Sequence, residues 1–149
     1  MMKLIAHRGL INGPDKKLEN DPSNIENIIL NYNLDIEIDI FINNDKIYLG
    51  HDKQQYLIDI DFLNKYKNNL WIHCKNIESL NFMQKTDYNF FWHEEDEFTL
   101  TSYKYIWCYP RKIPLKGSIC VLPENFEGWR EKDYSESAGI CSDYISVFI

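Results

Sequence analysis

His7 and His51 each stand where an apolar run ends, close to Gly9 and Gly50 respectively. Between them in the chain lie Glu37 and Asp39, two residues apart. Imidazole titrates near neutral pH, so one such ring can take a proton and a second can give one. Two carboxylates at i and i+2 of a strand point the same way, ~6–7 Å apart along it. Their oxygens suit a hard divalent cation, Mg2+ or Ca2+ first and Mn2+ after them. Arg8 can grip two oxygens of one phosphoryl group, and Lys75 can stand beside it as a point charge. An acid, a base, a cation site and anion-binding groups are the equipment for breaking a phosphodiester bond.

Each residue has a plainer rival reading. A strand-end histidine is most often structural, a single Arg or Lys most often solvated, and a polar strand face most often turned to water. Here two histidines recur in the same setting. His73 and Lys75, at i and i+2, share one face of a later strand, with Cys74 turned the other way. Trp92, Trp107 and Tyr109 fall near strand ends. Aromatics there are core as a rule, but at a rim they can stack on a sugar ring or a choline-like head group. His93-Glu94-Glu95-Asp96 reads as a solvated acidic loop whose His93 and Glu95 can line a mouth.

The elements that must position these groups alternate. Lys3 to Ala6 reads as a strand opening into a loop at His7. Asp21-Pro22-Ser23 starts a helix, with Asp21 as N-cap and Pro22 at the first helical position, and Ile25, Ile28 and Ile29 form its apolar face. From Leu34 to Ile42 period two is strict, aliphatics on one face and Asp35, Glu37, Asp39 and Phe41 on the other. If the aliphatic face packs under helices, the carboxylates face inward and need partners there. Asn43-Asn44-Asp45 turns the chain into a returning strand over Lys46 to Leu49, which carries His51 back toward the carboxylates. A helix is expected over Asp59 to Asn68, a strand over Leu70 to Lys75, a helix over Ile77 to Lys85 and a strand over Asn89 to His93. Later runs, Phe98 to Thr101, Tyr105 to Cys108 and Ser118 to Leu122, are strand-like. A helical turn or two is expected within Glu124 to Asp133, and the chain closes on an apolar, β-branched run from Asp143 to Phe148. The pattern predicts one α/β domain over 1–149, a reduced TIM-barrel-like (β/α) barrel with few helices in its C-terminal half, since a full barrel needs ~250 residues.

Composition sets limits. The chain of 149 residues is 44% hydrophobic and 15% aromatic, a globular balance. Its net charge of -7 argues against nucleic acid or anionic lipid as partner. No apolar run approaches the ~20 residues of a membrane span. The N-terminus runs directly into the first motif, so no signal peptide and a cytoplasmic location are expected. Cys74, Cys108, Cys120 and Cys141 show no C-x-x-C spacing and read as buried reduced thiols, with a zinc site at Cys74 as the alternative.

The series His7-Arg8-Gly9, Glu19-Asn20, Glu37-Ile38-Asp39 and Gly50-His51-Asp52 resembles, in order and spacing, the glycerophosphodiester phosphodiesterase family of the phospholipase-C-like TIM-barrel superfamily. The likeness is strong over residues 3–52 and weaker through Lys75. Cys141-Ser142-Asp143-Tyr144 is similar to the family's T-D-x-P ending, and the middle of the chain looks like a compact bacterial subgroup often associated with surface-polysaccharide gene clusters. The resemblance implies that His7 and His51 are general base and acid, that Arg8 and Lys75 bind phosphate, and that Glu37 and Asp39 hold a divalent cation. The implied substrate is a small glycerophosphodiester, whose neighbouring hydroxyl attacks phosphorus before water opens the cyclic product. Trp107 and Tyr109 fall where such a substrate is held. One departure stands out: His73 occupies the place of a metal-binding carboxylate, which removes a negative charge and favours Mn2+ or Zn2+. Two rival readings remain, a catalytically degenerate phosphate- or saccharide-binding module and a metal-independent lyase.

Overall fold

The computed structural model describes residues 1–149. The first strand, β1 (Lys3–His7), leads through a loop to helix α1 (Pro22–Tyr32) and then to β2 (Asp35–Asn43). Asp21 caps α1 by accepting from the Ser23 N–H, and Pro22 opens the helix as expected. Asn44 and Asp45, both with positive φ, turn β2 back into β3 (Lys46–Leu49). Next come β4 (Tyr56–Ile58), α2 (Ile60–Tyr66), β5 (Leu70–Cys74) and α3 (Ile77–Met83). No α-helix follows α3: β6 (Phe90–Phe91), β7 (Phe98–Leu100), β8 (Ile106–Cys108), β9 (Ile119–Val121) and β10 (Gly139–Ser142) are joined by loops and short 3-10 turns.

All ten strands belong to one sheet, with β4-β3-β2-β1-β10-β9-β8-β7 as its main path and β5 and β6 continuing from β2. The run β6-β5-β2-β1-β10-β9-β8 is parallel throughout, while β3, β4 and β7 pair antiparallel. The sheet curls. The rings of Trp71 on β5 and Trp107 on β8, strands far apart along this path, lie 5.8 Å from centroid to centroid, and Phe91 on β6 lies 4.7 Å from Trp107. One backbone hydrogen bond, from Ser102 N to Phe90 O at 2.8 Å, ties the turn after β7 to β6. The architecture is a curled half-barrel with three α-helices, short of the full eightfold barrel.

Side-chain parity separates the two faces. Even positions of β2 and β5, such as Ile36, Ile38, Ile40 and Ile72, belong to a core of 22 buried residues shared with the helices. Odd positions point into the curl. Its lower layer is a seven-residue apolar cluster that includes Ile5, Trp71, Phe91 and Trp107. One step further along the same strands come His7, His73, His93 and Tyr109. At the bottom of the curl, Trp71 Nε1 donates to Asp35 Oδ2 at 3.1 Å, and Lys3 Nζ lies 3.0 Å from the same oxygen.

Four expectations need correction. β4 was not foreseen; Leu57 is 61% exposed while Tyr56 and Ile58 on either side pack against the core, and three residues are too few to show an alternation. The strand expected over Asn89 to His93 is only two residues long, because beyond Phe91 the chain turns away to bring His93 over Asp96. The apolar C-terminal run is a 3-10 turn, Ile145–Phe148, and the last strand precedes it at Gly139–Ser142; only Ile145 of that turn is buried, too little for a strand face. Between Glu124 and Asp133 the helical turn begins one residue earlier, at Pro123–Asn125.

Candidate functional site

The chemistry gathers in one cavity of about 410 Å3 at the C-terminal ends of the parallel strands. The nine residues given site roles from the sequence line it, His7, Arg8, Glu37, Asp39, His51, His73, Lys75, Trp107 and Tyr109, as do His93 and Glu95, whereas Trp92 packs against the helix-side core instead. The positions vary in character. Trp107 is 4% exposed and forms part of the cavity floor, within the aromatic stack of the inner core. His51 sits at the rim, its side chain one-third exposed.

β2 supplies the centre. Glu37 and Asp39 are buried, at 2% and 1% exposure, with partners on three sides. Pairing of β2 with β5 sets Asp39 opposite His73, whose Nδ1 lies 3.2 Å from Asp39 Oδ1 and 3.7 Å from Glu37 Oε1. Arg8 is in the left-handed region, φ 53°, which L residues avoid at a cost of roughly 1 kcal/mol. This turn aims its backbone N–H at Glu37 Oε2, 3.2 Å away, and its Nε lies 3.2 Å from Asp39 Oδ2. Asn20, fully buried, donates to Asp39 Oδ2 and accepts from the Asp39 N–H, both at 3.0 Å.

The flanking groups are placed by backbone ties. Gly50 N–H donates to Asp39 O at 3.2 Å, which brings His51 to the cavity edge. Lys75 N–H donates to Ile40 O at 2.9 Å. Gly9 (φ 76°) lies so close to α1 that a Cβ would meet Ile25 Cγ1 at 3.2 Å.

Both histidines are backed by a carboxylate. His7 Nδ1 is 2.6 Å from Asp143 Oδ1, and His51 Nδ1 is 2.7 Å from Asp52 Oδ1. The Nδ1–H so engaged leaves Nε2 as the working nitrogen in each ring. Asp143 is itself held, its N–H donating to Glu124 Oε1 at 2.8 Å. Asp143 and Asn20 are the functional residues that sequence reasoning left unassigned. The T-D-x-P likeness contained Asp143 and the Glu19-Asn20 pair contained Asn20, but nothing in the spacing said that Asp143 would meet a histidine 136 residues away.

Burial and neighbouring charges work against each other here. Burial pushes the His73 pKa down, but the Asp39 and Glu37 carboxylates outweigh it and raise it to about 9. Burial likewise opposes the proton on His7, and the Asp143 hydrogen bond and the charge of Glu37 more than compensate, so its pKa is raised. Burial raises Asp39, but His73 and Arg8 hold it well below the usual carboxylate range. His93 goes the other way, lowered mainly by burial, with its Nε2 donating to Asp96 O at 2.6 Å.

The residues fit a divalent cation. One ligand atom from each of Glu37, Asp39 and His73 falls within 4.8 Å of the others. Asp39 Oδ1 is buried with no hydrogen-bond partner, an acceptor an ion would satisfy. His73 Nε2 faces the carbonyl oxygen of His93 at 2.9 Å and must therefore carry hydrogen, so Nδ1 is the nitrogen free to bind a metal once deprotonated. All four cysteines are buried, free thiols, and none joins this cluster. No helix is long and apolar enough to cross a membrane.

Comparison with protein-family models, with curated proteins and with solved structures found no match for this chain.

Proposed function

We propose that the protein is a phosphodiesterase of the glycerophosphodiester type on a reduced TIM-barrel-like frame, acting on a small phosphodiester with a divalent cation. One observation carries this reading: side chains from the ends of β1 and β5, from within β2 and from the β3–β4 loop converge on one cavity around a buried, unpartnered Asp39 oxygen. Glu37, Asp39 and His73 would hold the cation, Mg2+ or Ca2+ first, with Mn2+ suited by the imidazole. A cation there supplies charge neutralisation for the phosphoryl oxygens.

The chain's own residues do the rest. Arg8 and Lys75 orient the phosphate and offset its charge. One of His7 and His51 takes the proton of the attacking hydroxyl at Nε2, and the other delivers a proton to the departing alcohol oxygen. Asp143 and Asp52 hold the two rings in the tautomer this requires. Free, buried cysteines suit a reducing compartment, and we place the protein in the cytoplasm on that ground.

A second reading, a metal-independent lyase, is favoured by the place of His73. With its pKa raised to about 9, it stands as a cation between the two carboxylates where a metal would otherwise sit. The experiment is alcohol release from a panel of glycerophosphodiesters with Mg2+, Ca2+, Mn2+ or EDTA. Turnover that EDTA abolishes supports the first reading, turnover that survives EDTA supports the second, and absence of turnover throughout leaves the degenerate binding module. His7→Ala should cut product formation by about 10²–10⁴-fold while leaving ligand affinity within a few-fold.

A further inference from the structure

Asp143 lies where the sheet no longer fixes it. The last residue of β10 in register with β1 is Ser142, opposite Ala6, and Asp143 follows one step beyond. Its carboxylate nevertheless meets His7 Nδ1 at 2.6 Å. Two main-chain hydrogen bonds hold the residue there. Gly13 N–H donates to Asp143 O at 2.8 Å, and Asp143 N–H donates to Glu124 Oε1 at 2.8 Å.

Glu124 belongs to the 3-10 turn Pro123–Asn125 that follows β9. Leu122, with φ 49°, swings the chain out of the strand into this turn, while its N–H stays bonded to Cys141 O at 2.7 Å. The turn is thus anchored to β10 and presents Glu124 to that strand's end. Oε2 of the same carboxylate accepts from the buried Ser142 Oγ at 2.9 Å, and Ser142 Oγ accepts in turn from the Tyr144 N–H at 2.9 Å. Glu124 is half-buried, forms no ion pair and does not line the cavity. A half-buried carboxylate without a cation costs stability unless charge-assisted hydrogen bonds offset it. Here each oxygen meets one donor, a backbone N–H and a hydroxyl; an amide in its place would offer a single acceptor.

We propose that Glu124 is a positioning residue for the acid–base chemistry of the cavity: its carboxylate fixes Asp143, and Asp143 fixes the His7 ring with Nε2 as the working nitrogen. The effect on turnover rests on the phosphodiester reading above, whereas the hold on His7 stands without it. Glu124 touches no reacting atom and acts only through the aspartate.

The test pairs nuclear magnetic resonance with kinetics. An imidazole N–H held by a carboxylate gives a low-field proton resonance protected from exchange with water. At a single pH, its loss in His7→Ala and in Asp143→Ala identifies the one that belongs to His7. Glu124→Ala should broaden or remove that resonance. With a diester that the unaltered protein turns over, the same variant should lower kcat about tenfold and leave KM within about twofold. Glu124→Gln, which keeps one acceptor, should restore the resonance and most of kcat. Ser142→Ala, which removes only the Oε2 bond, should keep both. Circular dichroism checks that the variants fold; should Glu124→Ala fail, Glu124→Asp, one methylene short of both donors, takes its place with the same expectation. An unaltered protein without such a resonance, a resonance that survives unchanged in folded Glu124→Ala, a KM that rises as much as kcat falls, or a glutamine variant no better than the alanine one overturns the inference. The two claims fail separately. A resonance that is lost as expected, with no turnover by any form, contradicts the phosphodiesterase reading and upholds the positioning role. Turnover that Glu124→Ala leaves unchanged does the reverse.

Discussion

The His7–Asp143 contact has a consequence that kinetics can read. A raised pKa at His7 is sustained by Asp143, with Glu37 adding to it. Asp143→Asn should therefore move the limb of the pH–rate profile that His7 controls toward lower pH. Movement of the alkaline limb would make His7 the acid, and movement of the acidic limb would make it the base. Turnover should fall by about 10–100-fold, less than the ~10²–10⁴-fold expected for His7→Ala. His73 makes a different prediction, for the metal-free protein. Its folded pKa of about 9 lies above the ordinary 6.5, so its contribution to stability is fully present below pH 6.5 and disappears as pH rises through 9. Urea unfolding in EDTA at pH 6, 8 and 10 should show that decline, worth no more than about 3 kcal/mol, and His73→Gln should flatten it. A metal that takes Nδ1 must displace the proton, so cation affinity should rise over the same interval. At this scale the types and spacing of Glu37, Asp39, His7 and His51 were legible, because each sits in a short motif, the histidines where strands end and the carboxylates two apart within β2. Asp143 was not assigned, because its meaning comes from β10 pairing alongside β1.

Among the elements, the β3–β4 loop shows how backbone geometry carries function. Gly50 has φ 151°, and a Cβ there would stand 2.0 Å from the Lys53 carbonyl oxygen. Gly50→Ala should cost about 1–3 kcal/mol and should depress turnover further by displacing His51; thermal unfolding and kcat measured together separate the two losses. Strands with two-sided burial were the easiest to read. The isoleucines of β2 announced a covered face, and the carboxylates opposite them are buried as that implied. The Asp21-Pro22 start of α1 was equally plain, since cap and first turn are local chemistry. The short strands were harder. β4 and β6 exist because neighbouring strands offer free backbone partners, and three- or two-residue runs leave no period to detect.

For the molecule as a whole, the curl of the sheet converts parity into a reaction site. β1, β5, β6 and β8 each contribute an apolar residue to the lower layer and, two positions on, a polar one to the cavity, as in Trp71 and His73 or Phe91 and His93. The helix-poor second half was visible as short strand-like runs without helical period; how far the sheet would close was not, because curl depends on packing among rings such as Phe91 and Trp107. Cation binding should stabilise the whole fold, by about 2.7 kcal/mol at a hundredfold excess over Kd. Differential scanning calorimetry should record this with Mn2+, and Asp39→Asn should remove it. The most direct measurement is anomalous diffraction from crystals grown with Mn2+ and glycerol phosphate. The account predicts one strong peak about 2.0–2.6 Å from oxygens of Glu37 and Asp39, with the phosphoryl group between His7 and His51. A cavity without that peak, or manganese only on surface carboxylates, would contradict it.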